Sequence, residues 1–262
     1  MPFYDILFMK EYHNIAKEIF MDTIKIKGCK PKMIAHRGLS GIERENTYPA
    51  FVAAGNRSYY GIETDVHITA DGQFVVIHDE TTERVSLGAY NVNVETNSFD
   101  AIKDIVLPDL DGSISRRDIK IPLLADYISI CKKYGKKCVL ELKNRFNATD
   151  IVKMVEQIKE LDYLDSMIFI SFSYENCTDL RAILPNAAIQ FLTAEFMNDE
   201  ILKKLIDHKL DLDILYTKIS KEWVEKLHSF DIQINVWTCD NKQQAEVLAE
   251  MGVDFITSNI LE

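Results

Sequence analysis

Residues 137–171 read KCVLELKNRFNATDIVKMVEQIKELDYLDSMIFIS. A short apolar run (137–142) leads into an amphipathic stretch at helical spacing (149–161), and a second apolar run follows (167–171). A helix-length crossover between two buried runs is what parallel strands require, so this is a strand–helix–strand unit. The same alternation extends in both directions. Strands are expected at 32–36, 61–66, 188–192, 212–216, 232–237 and 253–257, with helices at 47–59, 122–134, 174–183, 198–208, 219–229 and 240–250. Eight strands with helices between them, in a chain of 262 residues, predict an α/β fold of the (β/α)8 TIM-barrel type.

One further run, 73–78 (QFVVIH), breaks the alternation. It stands too close to the strand at 61–66 for a parallel crossover, and Asp71-Gly72 between them is a hairpin turn signal. An extra hairpin strand at the barrel mouth is therefore expected, and counting outward from a turn at 70–73 sets His78 opposite Asp65. Residues 79–121, rich in Gly, Asn, Asp and Ser, form an insertion expected to lie over the mouth and select part of the substrate. The barrel domain spans 31–262. Residues 1–30 are a separate N-terminal segment, with Phe8, Tyr12, Ile15 and Ile19 at helical spacing, expected to pack on the barrel or to form a homodimer contact.

Composition narrows the class. Hydrophobic residues at 47% and charged residues at 27% are globular proportions and exclude a disordered chain. The net charge of −11 argues against nucleic-acid partners, which are held by phosphate neutralisation, and against anionic membrane surfaces. No apolar run approaches the roughly 18 residues of a spanning helix, so no stable membrane insertion is expected. The first residues lack the basic start and small-residue cleavage site of a signal peptide. The five cysteines are widely spaced without a C-x-x-C, which predicts free thiols and a cytoplasmic setting.

Barrel chemistry sits at the C-terminal strand ends. There the chain places His36-Arg37-Gly38, Glu63 and Asp65 at i,i+2, His78-Asp79, and Glu141-Leu142-Lys143. Each charge interrupts a buried run, where charges are rare unless paired or bound to metal. Three carboxylates without sulfur describe a site for one hard divalent ion, Mg²⁺ or Ca²⁺ with Mn²⁺ also suited. Arg37 and Lys143 suit a phosphate, and two histidines suit proton transfer. Together they describe phosphodiester cleavage.

These residues lie in IAHRG (34–38), GIETDVHITADGQFVVIHD (61–79), VLELK (139–143), INVWT (234–238) and GVDFITS (252–258). In that order they resemble the glycerophosphodiester phosphodiesterase family, from about residue 33 to 260. The resemblance implies a metal-dependent enzyme that hydrolyses small-molecule glycerophosphodiesters to glycerol 3-phosphate and an alcohol. It implies acid/base roles for His36 and His78, substrate binding by Arg37, Lys143 and Trp237, and metal ligation by Glu63, Asp65 and Glu141. Glu45 and Asn46 match a Glu-Asn pair beside the site, with Arg44 where proline is usual. Thr257-Ser258-Asn259 departs from the commoner Thr-Asp ending, so the role of that aspartate is expected to be lost. Two alternatives stand beside this reading: a phospholipase D-type hydrolase of lysophospholipids, and a non-catalytic phosphodiester-binding relative. His67 is expected to be a satisfied or solvated histidine rather than a catalytic one, and Tyr90, Phe172 and Tyr216 either line the alcohol pocket or pack.

Overall fold

A computed structural model describes residues 22–26 and 31–262. The strands are β1 (Lys32–Ala35), β2 (Gly61–Ile68), β3 (Phe74–Val76), β4 (Lys137–Leu142), β5 (Met167–Ser171), β6 (Ala188–Thr193), β7 (Asp211–Leu215), β8 (Ile234–Trp237) and β9 (Phe255–Ser258). The helices are α1 (Tyr48–Gly55), α2 (Leu124–Tyr134), α3 (Ala148–Glu160), α4 (Tyr174–Ile183), α5 (Asp199–His208), α6 (Lys221–His228) and α7 (Lys242–Met251). Strands pair in the order β1-β9-β8-β7-β6-β5-β4-β2-β3, and β1 also pairs with β2. Eight parallel strands thus close into the expected barrel, with β3 antiparallel on the outer side of β2.

Alternation along the strands sorts the core into two compartments. Ile34, Val139, Ile168 and Phe255 face inward and fill the barrel floor. The opposite faces meet the helices, where Phe51 and Tyr127 pack edge to face at 5.0 Å. The Tyr127 hydroxyl donates to the Ile62 carbonyl at 2.6 Å, tying α2 to β2. Helices α3 to α7 each begin at a cap, Asn147, Ser173, Asn198, Ser220 and Asn241, whose side chain accepts a first-turn N–H. Such caps contribute about 1 kcal/mol each and stop each loop at a defined residue. Lys132, Lys136 and Lys137 are not a free basic patch, because their ammonium groups donate to backbone carbonyls of neighbouring loops.

The hairpin is present, but its register differs by one residue from the expected count. The turn spans Thr69 to Gln73, Val66 pairs with Val76, and the Ile77 N–H donates to the Asp65 carbonyl at 3.2 Å. The Thr69 hydroxyl, donating to Asp71 and accepting from the Gln73 N–H, shifts the fold-back point. His78 therefore lies one step beyond Asp65, past the end of β3. Of the N-terminal segment, residues 22–26 run beside the C-terminus through an Ile24–Leu261 bridge, and Ile26 is buried. The amphipathic spacing at residues 8–19 falls outside the described residues.

Candidate active site

Glu63 and Asp65 alternate on β2, and Glu141 on β4 stands beside Asp65 in the register. One oxygen from each lies within 4.8 Å of the others, and all three residues are buried. The three are not equivalent. Burial works against the Asp65 charge, but Lys143 and Arg37 at 3.4 Å and the Asn46 amide at 2.8 Å hold it well below the usual carboxylate range. Burial and then the Asp65 charge push Glu141 up to about 7. Glu63 is raised too, by burial and by its two acidic neighbours, although its Oε2 accepts the Arg37 N–H at 2.8 Å. Asp65 Oδ1 and Glu141 Oε1 are buried without a hydrogen bond, and Lys143 stands by as a charge partner rather than an aligned donor. Two raised carboxylates and two orphaned oxygens mark a cluster short of positive charge. A hard divalent cation fits that oxygen donor set.

Arg37 reaches this cluster through a tight turn after β1. It has φ 53, and Gly38 has φ 76 with the Ala50 backbone so close that a Cβ would meet it at 2.7 Å. The guanidinium begins an ion-pair chain. Arg37 meets Glu45 at 3.0 Å, Glu45 takes a two-pronged contact from Arg84 at 2.8 Å, and Arg84 donates to Asp79 at 2.6 Å. Asp79 in turn contacts His78 Nδ1 at 2.6 Å. Arg44, in place of a stiffening proline, anchors its loop by donating to the Val85 carbonyl at 2.7 Å.

His36 directly follows β1, with Nδ1 2.8 Å from Asn259 Oδ1 and Nε2 4.0 Å from Glu63. Burial, and then the Arg37 charge, push it down to about 4. His78 is lowered as well, first by burial, with Asp65 opposing and Arg37 and Lys143 adding to the shift. His67 is 1% exposed, with Glu95 2.7 Å from Nδ1 and the His78 carbonyl 3.2 Å from Nε2. It is the satisfied histidine expected from the sequence, and it holds the backbone that carries His78.

A cavity of about 230 Å³ opens at this end of the barrel. His36, Arg37, Glu63, His78, Glu141 and Lys143 line one side, and Ile170, Phe172, Leu192 and Trp237 form an apolar wall opposite. Phe172 and Trp237 pack edge to face at 5.6 Å. No residue of 79–121 lines the cavity, nor do Tyr90 and Tyr216. The insertion expected over the mouth contributes none of this lining and packs on the hairpin instead. Val75 and Ile77 give the hairpin an apolar outer side, and Val85, Val94, Ile102, Ile105, Leu107, Ile119 and Ile121 cover it.

A model of the Glycerophosphoryl diester phosphodiesterase family matches residues 36–261. The chain belongs to this family. It is accordingly a phosphoric diester hydrolase on a TIM barrel. A glycerophosphodiester phosphodiesterase of Caldanaerobacter subterraneus subsp. tengcongensis is 29% identical over 239 residues, covering 88% of this chain and 94% of that protein. One from Bacillus altitudinis is 29% identical, covering 86% of this chain and 93% of that protein. A solved glycerophosphodiester phosphodiesterase from Parabacteroides distasonis has a TM-score of 0.73 at 26% identity, covering 88% of this chain and 93% of that one. An Oleispira antarctica phosphodiesterase, solved with its product sn-glycerol-3-phosphate, shares the fold at a TM-score of 0.80 and 24% identity, with 88% and 93% covered.

In this family member, seven of the eight residues singled out from sequence line one cavity, and Asp65 lies buried among them. Sequence reading passed over Asp213, 2% exposed, with Oδ1 unpartnered at the cavity and its carboxyl raised by burial and by Glu141. The signal was available: Asp213 interrupts the apolar run of β7 as Glu63 interrupts β2. The ending Thr257-Ser258-Asn259 was read only for the aspartate it lacks, yet Asn259 sits directly on His36.

Proposed function

We propose that this enzyme hydrolyses glycerophosphodiesters to glycerol 3-phosphate and an alcohol, with His36 and His78 as base and acid. The observation that carries this reading is that both imidazoles share one cavity with the carboxylate cluster, Arg37 and Lys143. Glu63, Asp65 and Glu141 would hold one divalent cation, which when bound supplies positive charge beside the phosphate. Arg37 and Lys143 bind the phosphoryl oxygens. Both histidines direct Nδ1 toward an oxygen acceptor, so Nε2 is the working nitrogen of each. His36, backed by a neutral amide and lowered to about 4, takes the proton of the attacking water or glycerol hydroxyl as its oxygen bonds to phosphorus. His78, backed by the Asp79 carboxylate, gives its proton to the leaving alkoxide as that P–O bond breaks. The apolar wall of Phe172 and Trp237 receives an organic arm of the substrate, with Trp237 as a substrate contact.

Exposed Phe172 and Phe196, on the loops after β5 and β6, favour lysophospholipid hydrolysis as a second reading. A panel of glycerophosphodiesters and their monoacyl counterparts, with and without chelator, separates the two. Release of glycerol 3-phosphate that chelator abolishes is expected. Faster turnover of the monoacyl substrates would select the second reading, and full turnover after exhaustive chelation would overturn the metal assignment. His36→Ala and His78→Ala are each expected to lower kcat by about 10²–10⁴-fold. We also assign the protein to the cytoplasm, in keeping with the buried free thiols of Cys131, Cys138, Cys177 and Cys239. Among the described residues, no helix is long and apolar enough to cross a membrane.

A further inference from the structure

Behind His36 lies a relay built from three neighbouring strand ends. Asn259, just after β9, places Oδ1 2.8 Å from His36 Nδ1. Its Nδ2 donates to Asp240 Oδ2 at 2.6 Å and its backbone N–H donates to Asp240 Oδ1 at 2.7 Å. Asp240, in the loop after β8, also accepts from the Ser258 hydroxyl at 2.8 Å. The Ser40 hydroxyl sits 2.6 Å from Asn259 Oδ1 and 2.7 Å from the His36 carbonyl. An ionised carboxylate only accepts hydrogen bonds, so Asp240 compels the Asn259 amide to present its NH₂ outward and its oxygen to His36. Nδ1 of His36 must then carry the hydrogen, which leaves the Nε2 lone pair toward Glu63 and the cavity.

We propose that Asp240 is a positioning residue that fixes the tautomer of His36 through the orientation of Asn259. The proposal rests on His36 acting as the base. A carboxylate directly on His36 would also set the tautomer, but it would place a full charge against the ring and favour the imidazolium. The interposed amide transmits direction while the charge stays one residue away, on exposed Asp240. An uncharged imidazole with its lone pair turned inward is the form a general base needs.

Exchange of the two side chains tests this. Asp240→Asn keeps its oxygen on the Asn259 N–H and the Ser258 hydroxyl and turns an NH₂ toward Asn259 Nδ2, which favours a flipped Asn259 amide, so kcat is expected to fall about 10–100-fold with KM unchanged. Asn259→Asp sets two carboxylates against each other and is expected to lose activity as well. The double variant D240N/N259D restores one acceptor-only carboxylate and one donor amide in line with His36, and is expected to recover the Nδ1–H tautomer while the charge now on the ring moves the base limb of the pH–rate profile upward. Long-range ¹H–¹⁵N spectra of the imidazole report the tautomer directly: Nδ1–H in the native protein and the double variant, a gain of Nε2–H in Asp240→Asn. An unaltered tautomer and kcat in Asp240→Asn would overturn the proposal, as would a double variant that fails to return the Nδ1–H tautomer. A native protein inactive on glycerophosphodiesters would instead discard the base assignment, while the nitrogen spectra would still decide the relay.

Discussion

At the scale of single residues, Asp65 and Glu141 of the carboxylate cluster have opposite effects on stability. Asp65 is the counter-charge of Arg37 and Lys143 and accepts from Asn46, so Asp65→Asn leaves two largely buried cations with one anion fewer. Loss of one partner from a buried pair costs on the order of 3 kcal/mol, and the metal-free variant is expected to melt earlier than the native chain. Glu141 is charged against its surroundings, so Glu141→Gln is expected to melt later in chelator and to bind the cation more weakly. Calorimetry in chelator, then titration with Mg²⁺, reads both effects. That all three residues meet in one place was legible from their i,i+2 spacing at strand ends. Their inequality was not, because it comes from which cation each one faces, and Arg37 reaches Asp65 only through the left-handed turn at 37–38. Asp240 was illegible for the same reason, since nothing in a linear chain brings the loop after β8 against the turn after β1.

Among elements, the hairpin and its cover illustrate how far pattern reading extends. The Asp71-Gly72 signal and the short spacing identified the reversal, and the side-chain bonds of Thr69 moved it by one residue. The insertion was legible as a long polar loop, but its apolar residues are too scattered to show a period, so its packing on Val75 and Ile77 had no sequence signature. Its contribution to the site is made from behind, through Arg84 on Glu45 and Asp79, and Glu95 on His67. Arg84→Ala is therefore expected to lower kcat by releasing Asp79 and Glu45, with little change in the ranking of substrates. Phe172→Ala, in the loop after β5, is expected to reorder substrates through KM while kcat for the smallest head group holds. Steady-state kinetics over a head-group series compares the two variants, and a reordering caused by Arg84→Ala would return the specificity role to the insertion.

For the whole molecule, Glu141 makes stability depend on pH with a definite sign. Its folded carboxyl is raised from the ordinary 4.5 to about 7, so the metal-free folded state holds a proton that the unfolded chain has released. Stability is therefore present below about 4.5 and declines as pH rises to about 7. In chelator the melting temperature is expected to be higher at about pH 5.5 than at about pH 8, with a smaller difference in Glu141→Gln. Added Mg²⁺ or Ca²⁺ should raise it more at the higher pH, where it meets a carboxylate already ionised. The closure of the barrel has a consequence of its own. β1 joins β9 along four residues, Lys32 to Ala35, but its ladder with β2 holds two register pairs, Ile34–Gly61 and Ala35–Ile62, and that of β9 with β8 holds two, Asn235–Phe255 and Val236–Ile256, each extended by single flanking backbone bonds such as Tyr60 to Met33 and Cys239 to Thr257. The first and last barrel strands thus form a paired ribbon held by a short seam on each flank. Such a ribbon is positioned to detach as one cooperative unit, so deuterium should enter the Met33–Ala35 and Ile256–Ser258 amides together and sooner than those of β4 and β5. When it lifts, His36 and Asn259 depart with it, while the acidic triad and His78 keep their places on the remaining wall.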